Sequence, residues 1–363
     1  MRLYKMELYK LLHKRIFIIG LLAIIGLMVT YFWFVEVGEE IAVIDGYVYT
    51  GYEGVQMNRK ITEEFEGTIT NEKIDQIIEK YGLPSKLEEN MPGWRDGNYL
   101  NDFVTKYFTD GAWETGTLPT EKYNLEETEF GKAYDAAGMN PYLAYTTGWK
   151  VFAEMLQFGL ILASGLVICG ISVIFAEESQ IKMLPLIFTT EEGRKRDIYA
   201  KILASFTITV LIFIGIFLIS LGLCGKVYGL NGFENLSGMI LSKGMIYSVY
   251  RIPFLKYISI FSVLGLQALL SLCAITLCVS AYQNSSFGAV IIAAVCWGFP
   301  VLLRMFFGGI MWIIVDSMPA FLIMPEILSD IYTIWCIPLG INICISVVCL
   351  LKGTLCYKTK QVV

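Results

Sequence analysis

The chain is poor in charge and in the residues that build enzyme centres. Only 17% of its 363 residues are Asp, Glu, Lys or Arg, while 55% are hydrophobic. Soluble domains average about 25% charged, so an ordinary water-soluble globule is excluded. There is a single histidine, His13, which reads as a solvated side chain in a basic helix. A zinc enzyme needs more ligands than that. Neither an H-E-x-x-H nor a G-x-S-x-G motif occurs, and these are the spacings that make a zinc hydrolase or a serine elbow. The phosphate loop G-x-x-x-x-G-K-[ST] is missing too. Gly131-Lys132 and Gly225-Lys226 lack the leading glycine spacing and the following Ser or Thr, so the chain is not expected to hydrolyse ATP itself. No cysteine precedes Lys150, and all nine that follow sit singly in apolar segments. They read as small hydrophobes rather than metal ligands.

What the chain does have is long uncharged runs. Ile16 to Val35, Met155 to Ala176 and Ile202 to Gly225 hold 20, 22 and 24 residues without a charge. About 20 apolar residues cross the hydrocarbon core as a helix, because lipid offers no partner to a bare backbone. The expected fold class is an all-α polytopic membrane protein. The first run is longer than a signal-peptide core, and no small-x-small cleavage site follows it, so a retained anchor helix is expected.

Six transmembrane helices are expected, over 16–35, 151–176, 202–225, 257–282, 287–303 and 331–351. Residues 1–15 carry five Lys or Arg, with Leu8, Leu11 and Leu12 at helical spacing. They read as an interfacial helix, and their charge places the N-terminus in the cytoplasm. Residues 36–150 then form an extracellular domain of 115 residues, mainly helical (α or α+β). Its 22 acidic and 10 basic residues give −12, whereas the rest of the chain sums to +7. Ile74, Ile77, Ile78 and Tyr81, and then Leu100, Phe103, Val104 and Tyr107, follow the i, i+3, i+4, i+7 spacing of amphipathic helices. Ile41 to Val55 suggests a hairpin. An outer domain without cysteine is held without disulfides, which fits a bacterial envelope better than a eukaryotic secretory route.

The remaining parts follow from the spans. Residues 226–256 form a second extracellular segment, 283–286 a cytoplasmic turn, and 304–330 an outer re-entrant or interfacial hairpin broken by Gly308-Gly309, Pro319 and Pro325. Residues 352–363 form a cytoplasmic tail. The cytoplasmic segments 1–15, 177–201 and 352–363 hold 13 Lys or Arg, which places both termini inside. Within and beside the spans, charge is scarce. Glu154 lies at the outer end of the second span. Arg304 and Asp316 flank the outer hairpin, as a gate in the substrate path or as a structural ion pair. The acidic outer domain presents either a field for cationic peptides or an ordinary solvated surface.

The polar insert 177–201 has a sharper logic. Glu177 and Glu178 close one span, and Met183-Leu184-Pro185-Leu186-Ile187-Phe188 is a short apolar element. Thr189-Thr190-Glu191-Glu192 then precede Gly193-Arg194-Lys195-Arg196. A plain positive-inside loop needs lysines but no apolar element, so this insert reads as a docking segment for a cytoplasmic protein.

Three features together resemble the permeases of the ATP-binding-cassette (ABC) type 2 exporter family, in its antibiotic- and bacteriocin-resistance branch. They are Met6-Glu-Leu-Tyr-Lys-Leu-Leu-His-Lys-Arg15 before the first span, the stretch from Phe175-Ala-Glu-Glu-Ser to Ala200-Lys201-Ile-Leu-Ala, and the six-span plan with a broken outer hairpin. The resemblance implies an export permease for an amphipathic, peptide or lipid-like compound in a bacterial plasma membrane. It implies pairing with a second permease copy or paralogue and with a separate ATPase subunit that binds the ATP, so no cofactor is held by this chain. It also implies that Glu177, Glu178, Ser179 and Lys182 lie at the ATPase seat, with Arg194, Arg196 and Lys201 lining the return to the third span. The 115-residue outer insert departs from compact family members. The rival reading is a membrane-anchored sensor or immunity protein whose outer domain binds an antimicrobial peptide. No nucleic-acid partner is expected.

Overall fold

The computed structural model describes residues 2–85, 96–112, 116–189, 195–245, 248–306, 312–324, 328 and 331–360. Along the chain run α1 (Arg2–Leu12), α2 (Arg15–Tyr31, continued by a π-helical turn to Glu36), the strands β1 (Ile41–Ile44) and β2 (Tyr47–Thr50), and α3 (Tyr52–Glu64). Next come β3 (Gly67–Thr68), α4 (Asn71–Tyr81), α5 (Tyr99–Phe108), α6 (Glu129–Ala137) and β4 (Tyr142–Leu143). Then follow α7 (Thr147–Ile171), α8 (Val173–Gln180), α9 (Leu184–Phe188), α10 (Arg196–Val227) and α11 (Ser237–Ile240). Last are α12 (Phe254–Tyr282), α13 (Ser286–Phe306), α14 (Trp312–Asp316), α15 (Pro319–Leu322) and α16 (Cys336–Thr359).

Six of these helical stretches are long and apolar enough to cross a membrane: 15–36, 147–180, 196–227, 254–282, 286–306 and 336–359. Large apolar side chains such as Leu22, Phe287, Val295, Phe306, Leu351 and Leu355 lie exposed along them, as suits helices solvated by lipid. The chain is a multi-pass membrane protein. The last span differs from expectation. It begins at Cys336 and ends at Thr359, so Lys352 and Lys358 are helical rather than part of a tail. Pro338 falls in its first turn, where a missing N–H costs nothing. Between α13 and α16, the described residues form only short helical pieces, the longest being α14 with five residues.

The chain divides into two compact units: residues 1–28, 156–219 and 259–363, and residues 29–155 with 220–258. In the first unit, helices approach through glycine. A Cβ on Gly170 would meet the Phe17 ring at 2.4 Å, and one on Gly159 would meet Ile216 Cγ2 at the same distance. Van der Waals packing of this kind holds helices together in lipid, where no hydrophobic drive between them remains.

The second unit is a small α+β body. β1 and β2 pair antiparallel around Asp45-Gly46, both in the positive-φ region (52° and 80°) that a tight hairpin turn requires. The expected hairpin therefore covers 41–50, while Val55 belongs to α3. Both expected amphipathic helices form, as α4 and α5. The Asn98 side chain accepts from Leu100 N and Asn101 N, each at 3.1 Å, and Asn101 Oδ1 accepts from Asn98 N at 2.7 Å. This reciprocal capping starts α5. Ile74, Ile77, Leu100, Phe103, Val104 and Phe130 fill the core, and Leu236, Met239 and Met245 join them.

That last group adds to the sequence reading. Residues 220–258 pack into one compact unit with 29–155. The pin is Asn235, 1% exposed. Its Oδ1 accepts from Tyr134 Oη at 2.9 Å and Tyr142 N at 3.1 Å, and its Nδ2 donates to Tyr142 O at 2.8 Å. Replacing Asn235 with Ala removes the acceptor of the buried Tyr134 hydroxyl and the partners of the part-buried Tyr142 backbone, at about 1–3 kcal/mol for each group left unsatisfied. The Asn235→Ala protein should melt several degrees lower in detergent and be cleaved faster by protease within 226–256. An unchanged melting temperature would show that the segment is held by its apolar contacts alone.

Candidate functional site

Lipid-spanning helices leave polar groups to gather at their ends, and in the first unit they gather around one lysine. Lys201 stands in the second turn of α10 and is 2% exposed. Asp197, one turn earlier on the same helix, is an ion-pair partner, at the i, i+4 spacing that brings side chains together. Glu178 Oε1 of α8 lies 3.1 Å from the ammonium, and Glu7 Oε1 of α1 lies 3.7 Å from it. Tyr357 Oη of α16 donates to the second Glu178 oxygen at 2.6 Å. Lys201 thus ties α10 to α1 and α8, and Glu178 carries the link on to α16.

Around this centre the ends are laced further. Lys14 pairs with Glu177. Lys360 Nζ donates to Ser179 Oγ at 2.9 Å and to Gln283 O at 3.0 Å, and burial pulls its ammonium below the ordinary lysine range. Ser280 Oγ accepts from Phe175 N at 3.0 Å and Ala176 N at 3.1 Å. Gln180 Oε1 accepts from Ser286 N at 3.1 Å. Tyr4 Oη lies 3.1 Å from Thr207 Oγ1, so α1 is also fastened along α10. Apart from Lys360 to Gln283, each link joins α8 or α10 to an element far away in the chain.

The residues singled out from sequence fall into three groups. Glu178 and Lys201 are brought together at 3.1 Å, but both face the interior, and neither offers surface to another protein. Glu177 and Ser179 sit at the end of α8, not in a loop, because the helix continues past the apolar run to Gln180. Their partners are Lys14 and Lys360. Lys182 and Arg196 are exposed; Lys182 has a positive φ of 55° just beyond α8, and Arg196 opens α10. Arg194 lies outside the described residues. The polar insert is consequently shorter than read, 181–195, with the five-residue α9 inside it. Glu7, Asp197, Tyr357 and Lys360 were not singled out. The Asp197–Lys201 spacing was a visible signal for one of them, and so was Glu7 as the lone acid of a basic segment.

Arg304 and Asp316, read from sequence as a gate or a structural ion pair, lie together. Arg304 Nη1 of α13 lies 3.2 Å from Asp316 Oδ1 of α14. Asp316 is fully buried, and the guanidinium lies over the Phe321 ring at 5.2 Å.

No protein-family model, curated protein or solved structure matches this chain.

Three carboxylates around a buried lysine cannot tolerate its loss. Removing one partner of a buried ion pair costs about 3–5 kcal/mol, because the charge left behind is uncompensated. Lys201→Met should therefore cut the yield of folded protein sharply in a membrane-extraction and size-exclusion assay. The double change Lys201→Met with Glu178→Gln, which removes a charge of each sign, should recover part of it. Equal losses in both would argue against charge imbalance as the cause.

Proposed function

We propose that the chain is the permease subunit of an ABC-type exporter, working with a separate ATPase and a second permease copy or paralogue in a bacterial plasma membrane. The observation that carries this reading is the Lys201 centre. It joins the N-terminal helix, both helices that flank the polar insert, and the C-terminal helix. Force applied at 181–195 therefore reaches α8 and α10 through a pinned joint rather than through a slack loop. The exposed Lys182 and Arg196 and the short apolar α9 supply the kind of surface that a cytoplasmic ATPase would seat. Nucleotide-driven closure of two ATPases would then bias the paired bundles between two arrangements, which requires differential contact with each state. The cargo class consistent with six apolar spans is an amphipathic, peptide or lipid-like compound.

The test is co-purification of the full chain, expressed with the nucleotide-binding protein of its own gene neighbourhood. A Walker-type ATPase should stay bound, and its ATPase rate should respond to the permease. Arg194→Glu with Arg196→Glu should abolish that pairing while leaving the permease folded. Purified protein with no associated ATPase and no nucleotide-dependent change would overturn the proposal, and would favour the membrane-anchored sensor or immunity protein.

A further inference from the structure

The second unit contains a cavity of about 540 Å³ that the transport reading does not use. This is within the size range of small-molecule sites, roughly 300–1,000 Å³. Glu39, Glu40, Asp102 and Glu154 line it, against Lys106, Lys150 and Lys243. The balance is one negative charge in excess. Phe103, Tyr107, Ile240 and Leu241 supply apolar and aromatic wall.

The carboxylates are not equivalent. Glu40 is already served, since its Oε1 accepts from Tyr145 Oη at 2.7 Å and Asn58 Nδ2 at 3.0 Å. Lys106 is engaged by the carbonyl of Ser242. Asp102 is different. It lines the cavity as an exposed residue, and among the described residues its carboxylate takes no hydrogen bond and forms no ion pair. The side chain is exposed to the solvent in the cavity, yet the protein mass packed around that cavity desolvates it. That desolvation, with Glu40 and Asp96 nearby, pushes its carboxyl up to about 7, against a smaller opposing pull from Lys106. Desolvation likewise raises Glu40 above the usual carboxylate range. A carboxyl held in this state gains from a cation placed beside it. No group of three His, Cys, Asp or Glu able to hold a metal occurs among the described residues, and half of the wall is apolar. These features favour an organic cation over a metal ion as a ligand.

We propose that this cavity binds the ammonium group of an amphipathic organic amine, with Asp102 as its ion-pair partner and Phe103, Tyr107 and Leu241 against its apolar part. The amine has two sources: a free small molecule, or a lysine-type side chain of a cationic peptide. The site stands independently of the transport reading, because it lies wholly within the unit formed by 29–155 and 220–258.

The sign of the pH dependence follows. The amine meets the ionised form of Asp102, so binding expels a proton from the fraction still protonated. Affinity should rise with pH through about 7, and be about tenfold weaker at pH 6 than at pH 8. Glu39, Glu40, Glu154, Lys106, Lys150 and Lys243 face the same space, and Asp96 lies nearby, so they set the midpoint rather than the direction.

The test uses the full chain in nanodiscs and isothermal titration with two probes: phenethylamine, and a short amphipathic peptide with one lysine. The same peptide acetylated on that lysine serves as control. Binding of either amine supports the proposal, and which one binds identifies the source. Titration near pH 7 in buffers of different ionisation enthalpy should show about half a proton released per ligand. Asp102→Asn should weaken binding at least tenfold and abolish the release, whereas Asp135→Asn, outside the cavity, should change neither. No binding of either amine, equal binding of the acetylated peptide, or unchanged binding in Asp102→Asn would overturn it. Should Asp102→Asn fail to fold, the unaltered chain decides: binding without proton release and without pH dependence overturns the proposal. Failure of the chain to pair with an ATPase leaves this result untouched.

Discussion

A backbone amide placed in hydrocarbon finds no partner except within its own helix. Most of what is distinctive in this protein descends from that constraint. It makes the apolar runs helical, strips them of charge, and leaves them joined to one another by close packing rather than by a hydrophobic drive. Gly170 against Phe17 and Gly159 against Ile216 are the visible result. The same constraint drives ionisable groups toward the helix ends, where they must find partners of opposite sign.

The Lys201 centre is one outcome. A buried lysine is tolerated because Asp197, Glu178 and Glu7 surround it and Tyr357 completes the hydrogen bonding of Glu178. Such a cluster is weak evidence for stability, since well-packed apolar residues often do as well. Its value lies in specificity of arrangement: the four helices can meet in this way only if each contributes its own polar group. The Asn235 pin does comparable work in the second unit. A single amide satisfied by Tyr134 and Tyr142 brings 220–258 into the body built by 29–155.

The two polar centres suit different tasks. Around Lys201 every group has a partner, which suits the proposed role of a joint. In the cavity beside Asp102 one carboxyl is left over, and its surroundings raise the cost of its charge. A fully satisfied network rigidifies, whereas a partly satisfied one favours an arriving counter-charge. Coupling and recognition would thus occupy separate places in the chain.

Sequence by itself determined the class of this protein. Helical spans can be read from uncharged length because lipid forbids the alternatives, and α4 and α5 from the spacing of Ile74, Ile77, Leu100 and Phe103, because a helix repeats every 3.6 residues. The Asp197–Lys201 pair was within reach for the same local reason. Only the tertiary structure decided that Glu7 meets that lysine and Tyr357 meets Glu178, that Glu178 and Lys201 turn inward, and that 226–256 belongs with 36–150. These are contacts across scores or hundreds of residues, and periodicity carries no information about which distant faces will meet. The ends of α8, α10 and α16 were missed for a related reason: charged residues near a membrane surface can continue a helix when tertiary partners satisfy them, and hydropathy alone stops counting where the first charge appears.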